Sequence, residues 1–238
     1  MRFLSAEWRK LAIANYEIDS QVLLPYLPNG TELDIWEGHC YVSLVGFMFV
    51  NTKMLGVNIP FHTHFEEVNL RFYVKRKSGD TWKRGVVFIK EIVPKMMISF
   101  VANTLYNEHY ETMEMRHTWT ETEQGREVEY QWECKENWHT FRVQAEKEAQ
   151  EIPIGSEAEF ITEHYWGYTK INDQKTMEYE VTHPRWLHYP VINHEIHADF
   201  GAIYGADFAF LNRLKPASVM LAEGSEITVE STKLLPLV

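Results

Sequence analysis

The sequence predicts a mainly β protein of the α+β class, a single domain built on a large curled antiparallel sheet or barrel with two or three short helices. Three observations favour this fold. Long stretches alternate between apolar and polar residues, aromatic residues make up 14% of the chain, and turn residues separate the alternating stretches. We take residues 1–238 as one domain, because all-β domains of this length are often single and no linker is evident.

The first half of the chain reads as strands joined by turns. Thr31–Ile35 and Cys40–Val50 flank the turn residues 37–39, which predicts a hairpin. Phe65–Lys75 alternates and is followed by a turn at residues 78–80. Arg84–Val93 is an apolar strand. Pro94 suits the first position of a helix, and apolar residues recur at four-residue spacing after it, so a helix is predicted over Lys95–Tyr106.

The second half continues with an antiparallel meander from Met113 to Val143. Ser156 and Glu159 match a capping box, which predicts a short helix that runs to Tyr165. Further strands flank the turn at residues 172–174, and a second short helix is predicted over Ile203–Leu214. Residues 218–222 and 226–230 are predicted to form a last hairpin around Glu223-Gly224-Ser225.

Composition and charge exclude several classes of partner. The net charge of −11 argues against nucleic acid and against an anionic membrane surface, since both require a basic face. No apolar stretch is long enough to span a bilayer, and the N-terminal residues do not resemble a signal peptide. The two cysteines do not form a Cys-x-x-Cys pair, so two thiols are the default, with one disulfide as the alternative. We therefore expect a cytoplasmic protein.

Lys95 is the first candidate functional residue. Its predicted place in the first turn of a helix, among Met96, Met97 and Ile98, combines a positive helix end with apolar surroundings. Both effects favour the neutral amine over the ammonium. A neutral amine is what Schiff-base chemistry requires. The alternative is an ordinary solvated lysine at the start of a helix.

The segments around Lys95 and along Phe65–Lys75 support a family resemblance. The chain resembles the YqjF-like bacterial family, which is grouped with the acetoacetate decarboxylase-like superfamily. The most specific matches are Glu67–Val74 and Lys90–Tyr110. Residues 23–30 and 41–45 also match, and the match continues more weakly to residues 156–165 and 183–186. The resemblance implies an antiparallel barrel that encloses a cavity, and a lysine, here Lys95, that forms an imine with a substrate ketone.

A polar stripe on Phe65–Lys75 is the second candidate site. Glu67, Asn69, Arg71 and Tyr73 share one strand face, opposite an apolar face. If the stripe faces a cavity, Arg71 could hold a carboxylate by a two-pronged contact, and Glu67 could act as acid or base. Asn69 and Tyr73 would then contact the substrate as well. A solvent-facing strand with ordinary charges is the alternative.

Glu91 lies four residues before Lys95 and could orient the lysine or protonate an enamine. A neighbouring carboxylate would also favour the charged ammonium, which opposes imine formation. The resemblance implies that true acetoacetate decarboxylases have a Pro-Lys-Lys segment at this place, whereas Met96 follows Lys95 here. The charge repulsion that a second lysine would supply is therefore missing. Burial and the positive helix end are the two effects left to favour the neutral Lys95 amine.

The histidines do not complete a standard metal-binding pattern, so no metal site and no cofactor are predicted. His117 lies on an alternating strand and is a candidate contact at the rim of a cavity. The segment His183-Pro184-Arg185-Trp186 matches the family, but the sequence assigns it no role.

Two functions from different classes follow. One is a lyase, a decarboxylase or an aldolase-type enzyme, that acts on a small keto acid or other carbonyl compound through a Lys95 Schiff base. The other is a non-catalytic protein that binds a small ligand in the same cavity. The partner is a small molecule in both cases, and a homo-oligomer is expected because sheet edges need protection.

Overall fold

A computed structural model describes residues 2–58, 62–96 and 109–235 of the chain. In chain order its strands are β1 (Arg2–Glu17), β2 (Glu32–Leu33), β3 (Tyr41–Met54), β4 (Val57–Asn58), β5 (Phe65–Ser78), β6 (Thr81–Val93), β7 (Tyr110–Thr112), β8 (Met115–Thr122), β9 (Gly125–Cys134), β10 (Asn137–Ala145), β11 (Gln150–Glu151), β12 (Trp166–Asn172), β13 (Lys175–Thr182), β14 (Leu187–Tyr189), β15 (Val191–His197), β16 (Ser218–Glu230) and β17 (Lys233–Leu234). The helices are α1 (Glu157–Thr162) and α2 (Phe200–Tyr204), with 3₁₀ helices at Ser20–Val22, Leu24–Tyr26 and Ala206–Arg213.

Seven strands of the 13-stranded main sheet close on themselves. The hydrogen-bonded order is β16-β1-β3-β5-β6-β12-β13, and β13 pairs back with β16 through Val181 and Thr182. Most neighbours are antiparallel, but β6 pairs in parallel with β12 and with β7. The closure creates a barrel with an inner and an outer face. Side chains of each strand alternate between these two faces.

A second sheet, of the order β15-β10-β9-β8, covers part of the outer face of the barrel. Val68, Leu70 and Phe72 from β5 pack against it in a core that includes Tyr130 and Trp132. The two sheets approach closely at Gly46, where an added Cβ would lie 2.8 Å from a ring carbon of Tyr130. The inner face forms a separate, aromatic-rich cluster that lines the barrel.

Helix α1 begins as its capping box predicts. The Ser156 side chain accepts a hydrogen bond from the Glu159 backbone N–H, and the Glu159 carboxylate accepts one from the Gly155 N–H. Phe160 and Ile161 face inward and are buried. The helix therefore places the residues after it, Glu163 and His164, against the wall of the barrel.

The prediction of a mainly β fold with a few short helices is confirmed, and several of its details differ. The sheet is mixed rather than purely antiparallel. The β2 strand pairs with β5 and not with β3, so the first predicted hairpin is wrong. Residues 218–230 form one continuous strand, so the last predicted hairpin is also wrong. The second predicted helix is divided at Gly205, whose φ is +106°.

Two further differences concern the ends of the predicted elements. The long strand β1, over Arg2–Glu17, was not predicted, and it lies between β16 and β3 in the barrel. The helix predicted over Lys95–Tyr106 falls mostly on residues 97–108, outside the described residues. None of the described helices is long and apolar enough to cross a membrane.

Candidate functional site

The barrel encloses a cavity with a volume of about 120 Å³. All seven barrel strands, α1 and the segment that follows β13 contribute to its wall. The aromatic part of the wall consists of Phe3, Trp8, Phe47, Phe49, Phe65, Phe88, Tyr110, Trp166, Tyr179 and Trp186. The polar and charged part consists of Glu67, Asn69, Arg71, Glu91, Thr162, His164 and His183. An engineered apolar cavity of about 150 Å³ binds benzene, so the ligand that fits here is small.

Strand β5 supplies three of the polar side chains. Glu67, Asn69 and Arg71 alternate with the outward-facing Val68 and Leu70, as the period of a strand requires. All three point into the cavity and are almost fully buried, with Arg71 the most exposed at 8%. The predicted polar stripe is therefore part of an interior surface, and the solvent-facing alternative does not apply.

Glu67 is a buried carboxyl group held by two hydrogen-bond donors. Asn69 Nδ2 donates to Oε1 at 2.9 Å, and the Tyr110 hydroxyl donates to Oε2 at 3.1 Å. Burial raises the pKa of Glu67 to about 7, although the two donors and the Arg71 charge act in the opposite direction. A carboxyl group with this pKa exchanges its proton near neutral pH, which suits it to donate or accept a proton.

Glu91 enters the same cavity from the neighbouring strand β6. It lies directly opposite Asn69 in the strand register and is 2% exposed. The Tyr110 hydroxyl donates to Glu67, and its pKa responds to Glu91 as well, so one phenol interacts with both carboxyl groups. Burial first, and these two acids next, raise the pKa of Tyr110 well above its usual value. Tyr110 therefore stays protonated and acts as a donor.

Arg71 carries the positive charge of the cavity. Its guanidinium lies 5.7 Å from the centre of the Tyr73 ring. Across the described ranges, no carboxylate forms an ion pair with Arg71, and its Nε has no hydrogen-bond partner. A buried guanidinium without an ion pair is costly. The arrangement can therefore accept an anion.

Tyr73 supports the wall from behind. Its hydroxyl lies 2.7 Å from Ser43 Oγ, which also donates to Asn15 Oδ1 at 2.6 Å. Its ring packs against His164 with the ring centres 4.8 Å apart. Tyr73 thus fixes Arg71 and His164, while its own hydroxyl is engaged away from the cavity-lining groups.

His183 and Trp186 form another part of the wall. Their rings stack at 4.2 Å with an interplanar angle of 19°, and the Trp8 ring meets Trp186 at 6.3 Å. Arg185, between them in the chain, forms an ion pair with Glu159 and donates to the Ile152 carbonyl at 3.0 Å. The His183–Trp186 segment, which had no predicted role, thus lines the cavity and is tied to α1.

Besides Tyr73, two further predicted site residues do not line the cavity. His117 is on β8 of the second sheet, where its Nδ1 is 2.6 Å from Glu66 Oε1. Glu66 and Glu67 are consecutive on β5 and point to opposite faces, so His117 is outside the barrel. Lys95 follows the end of β6, and its charge helps to lower the pKa of Glu66. Lys95 is not among the described residues that line the cavity.

The sequence reasoning missed His164 and Tyr110. His164 follows α1 and pairs with Asp34, which lies 130 residues earlier. No local pattern indicates that pairing, because it depends on β2 pairing with β5 and on β12 pairing with β6. Tyr110 was inside a matched family segment but carried no signal of its own. Within the described residues, no group of three or more His, Cys, Asp or Glu side chains is arranged to hold a metal ion.

Several solved structures have a similar fold. The enduracididine biosynthesis enzyme MppR, in complex with the condensation product of pyruvate and imidazole 4-carboxaldehyde, matches with a TM-score of 0.68 and 10% identity over 99% of this chain and 90% of MppR. An acetoacetate decarboxylase-like enzyme from Sphingomonas wittichii RW1 matches with a TM-score of 0.67 and 11% identity over 100% and 95%. Acetoacetate decarboxylase from Legionella pneumophila matches with a TM-score of 0.65 and 14% identity over 99% and 88%. The chain therefore has the acetoacetate decarboxylase-like fold.

Sequence comparison gives a narrower assignment. The chain is 26% identical over 186 residues to the protein YqjF of Bacillus subtilis (strain 168), which covers 76% of this chain and 72% of YqjF. The model of the DUF2071 family, described as "Uncharacterized conserved protein", matches residues 5–226. These comparisons agree with the predicted resemblance, and this chain belongs to the DUF2071 family.

Proposed function

We propose that this protein binds a small carboxylic acid with a carbonyl group in the barrel cavity. Arg71 holds the carboxylate, and Glu67, in its protonated form, donates a hydrogen bond to the carbonyl oxygen. The observation that carries this proposal is the buried Arg71, which lines the cavity and forms no ion pair among the described residues. A ligand carboxylate would supply the missing partner through a two-pronged contact.

The raised pKa of Glu67 supports the same assignment. Burial raises this pKa to about 7, so the acid does not neutralise Arg71 fully by itself below that pH. The cavity then offers the positive charge of Arg71 and one uncharged hydrogen-bond donor, Glu67, beside the second acid, Glu91. An oxo acid offers the matching groups, a carboxylate and a carbonyl oxygen. The cavity volume of about 120 Å³ limits such a ligand to a few carbon atoms.

The test is a calorimetric titration with pyruvate and acetoacetate, and with butanone as the ketone that lacks a carboxylate. We expect the acids to bind more tightly than butanone. Arg71→Gln should weaken binding of the acids by roughly tenfold or more, because a charged hydrogen bond contributes about 1.5–3 kcal/mol. Lys77→Gln is the matched control, since it removes one positive charge from an exposed position on the same strand.

The control separates a local contact from a general charge effect. Equal losses in Arg71→Gln and Lys77→Gln would contradict the proposal. Arg71→Lys should recover part of the affinity but not all of it, because a lysine cannot make the two-pronged contact.

A second candidate function is catalysis through Lys95. The feature that favours it is the position of Lys95 at the end of β6, four residues after the cavity-lining Glu91. One enzyme of similar fold was solved with a condensation product of pyruvate. In this reaction the Lys95 amine adds to the ketone carbon of a 3-oxo acid and water leaves, which forms an imine. The bond between the α-carbon and the carboxylate carbon then breaks: carbon dioxide leaves, and the bonding electron pair stays on the substrate as an enamine. The enamine carbon takes a proton from Glu67 or Glu91, and water hydrolyses the resulting imine, which releases the ketone and the Lys95 amine.

This candidate requires the Lys95 amine to enter the cavity when a ligand binds, because the described Lys95 side chain is not part of the wall. Borohydride added with acetoacetate should then reduce the imine to a stable adduct on Lys95. Lys95→Ala should abolish the adduct. Met96→Lys should increase it, since an adjacent ammonium disfavours protonation of Lys95.

Mass spectrometry of the digested protein reads the result directly. An adduct on Lys95 that disappears in Lys95→Ala supports the enzyme. The absence of an adduct in both the parent protein and Met96→Lys, together with Arg71-dependent binding, leaves the binding protein as the function.

A further inference from the structure

His164 occupies a distinctive position in the cavity wall. It lies two residues after the end of α1, lines the cavity and is 8% exposed. Its Nε2 is 3.1 Å from Asp34 Oδ2, and Arg84 Nε donates to the same oxygen at 2.7 Å. The rings of Tyr73 and Phe160 pack on the imidazole at 4.8 and 5.1 Å. The side chain is therefore fixed in orientation.

These partners determine which nitrogen carries the proton. Burial by itself would raise the pKa of Asp34, but the hydrogen bonds from His164 and Arg84 lower it below its usual value. Asp34 is therefore a carboxylate and accepts hydrogen bonds. Burial lowers the pKa of His164 to about 4, and the Arg84 and Arg71 charges act in the same direction while Asp34 opposes them. A neutral imidazole that donates from Nε2 has a lone pair on Nδ1.

The Nδ1 atom has no hydrogen-bond partner among the described residues, and it is buried. A buried acceptor without a donor is unfavourable, which indicates a group that the ligand supplies. Arg71 and His164 both pack on the Tyr73 ring, with distances to its centre of 5.7 Å from the Arg71 guanidinium carbon and 4.8 Å from the His164 ring centre. Both residues also line the same cavity of about 120 Å³, so one small ligand there can contact both.

We propose that His164 determines specificity in the cavity: its Nδ1 accepts a hydrogen bond from a hydroxyl group of the acid that Arg71 holds. The site would therefore select hydroxy acids, or the enol form of an oxo acid, over acids of the same size without a hydroxyl donor. This inference rests on the proposed binding of a carboxylate at Arg71. It adds a residue and a chemical group that the proposed function does not contain.

The first test uses the protein without ligand. Nitrogen NMR of the ¹⁵N-histidine-labelled full chain at pH 7 should show His164 with a protonated Nε2 and an unprotonated Nδ1. Addition of lactate should shift the Nδ1 resonance, whereas propanoate, which lacks the hydroxyl, should not. A protonated Nδ1, or an Nδ1 resonance that responds equally to both acids, overturns the inference.

The second test compares affinities for the same two acids. The parent protein should bind lactate roughly tenfold more tightly than propanoate, the range that one hydrogen bond gives. His164→Phe keeps an aromatic ring against Tyr73 and Phe160 and should reduce this ratio to about one. His164→Asn places an amide near the position of Nδ1 and should restore part of the ratio.

The outcomes separate the two proposals. If both acids bind through Arg71 but the ratio is one in the parent protein, or survives in His164→Phe, the hydroxyl assignment is wrong and the proposed function stands. If neither acid binds although His164 has the expected tautomer, the specificity assignment fails, and the titration with pyruvate and acetoacetate decides the proposed function separately. If His164→Phe does not fold, the lactate-specific shift of Nδ1 in the parent protein decides.

Discussion

Burial decides the charge state of individual residues in the cavity. Glu66 and Glu67 are neighbours on β5, yet their pKa values move in opposite directions. Burial raises the pKa of Glu67 to about 7. Burial also acts on Glu66, but the hydrogen bond from His117 and the charges of His117 and Lys95 outweigh it and lower the pKa. Two consecutive residues of one strand therefore differ in charge state: Glu66 is a carboxylate on the outer face, and Glu67 is an acid with a raised pKa in the interior.

This difference predicts opposite pH effects on stability. The pKa of Glu67 is higher in the folded protein than in the unfolded chain, so its contribution is fully present below pH 4.5 and is lost as the pH rises through about 7. Glutamine does not ionise, so Glu67→Gln does not lose this stability as the pH rises. Relative to the parent protein, the variant should therefore gain stability between pH 4 and pH 8, by about 3 kcal/mol at most. Urea unfolding across this range measures the effect.

Glu66→Gln is the matched control on the outer face. The lowered pKa of Glu66 means that its contribution is present above the unfolded value and is lost as the pH falls through the folded value. Glu66→Gln should therefore become less stable, relative to the parent protein, as the pH rises from 4 to 8. Differences of the same sign in the two variants would contradict the assignment of Glu67 to an apolar interior.

At the scale of elements, one glycine of strand β16 permits a close backbone contact with strand β1. Glu223-Gly224-Ser225 has the composition of a turn, but these residues lie inside a 13-residue strand. Gly224 pairs with Arg9 of β1 and has a φ of +80°, and a Cβ there would lie 1.9 Å from the Trp8 carbonyl oxygen. The glycine therefore permits a close backbone contact beside the irregular segment of β1 near Lys10, whose φ is +55°.

Gly224→Ala should destabilise the protein by more than about 2 kcal/mol, because it adds a backbone overlap to an unfavourable φ. Gly79→Ala is the control, since Gly79 has a φ of +61° in an exposed turn with no atom within 4 Å of an added Cβ. The control should lose only about 1 kcal/mol, from the backbone conformation alone. Equal urea midpoints for Gly224→Ala and Gly79→Ala would show that the close contact between β1 and β16 does not require a glycine at position 224.

At the scale of the whole molecule, closure of the barrel leaves the second sheet with two edge strands, β8 and β15. All but one residue of β8 is exposed, including Trp119. Exposed edge strands favour association unless they are protected. A homodimer or larger assembly remains our prediction. Light scattering at micromolar concentration should give a mass above that of the single 28.1 kDa chain, and a monomer mass would rule it out.

Local pattern was sufficient to predict the features that depend on strand period and on local hydrogen bonds. The alternation of Phe65–Lys75 placed Glu67, Asn69 and Arg71 on one face, because successive side chains of a strand point in opposite directions. The Ser156 capping box predicted the start of α1, because its bonds lie within four residues. The mainly β class followed from the same alternation over the whole chain.

Tertiary structure alone decided which face is interior and which distant residues meet. Closure of β13 on β16 converts one face of β5 into a cavity wall, and no local pattern encodes that pairing. The turn-like Glu223-Gly224-Ser225 stays in a strand because β1 provides its hydrogen-bond partners. His164 meets Asp34 across 130 residues because β2 pairs with β5, β12 pairs with β6, and β5 and β6 are neighbours. The sequence by itself thus determined the strands and their polar faces, and the long-range pairing of those strands determined the site.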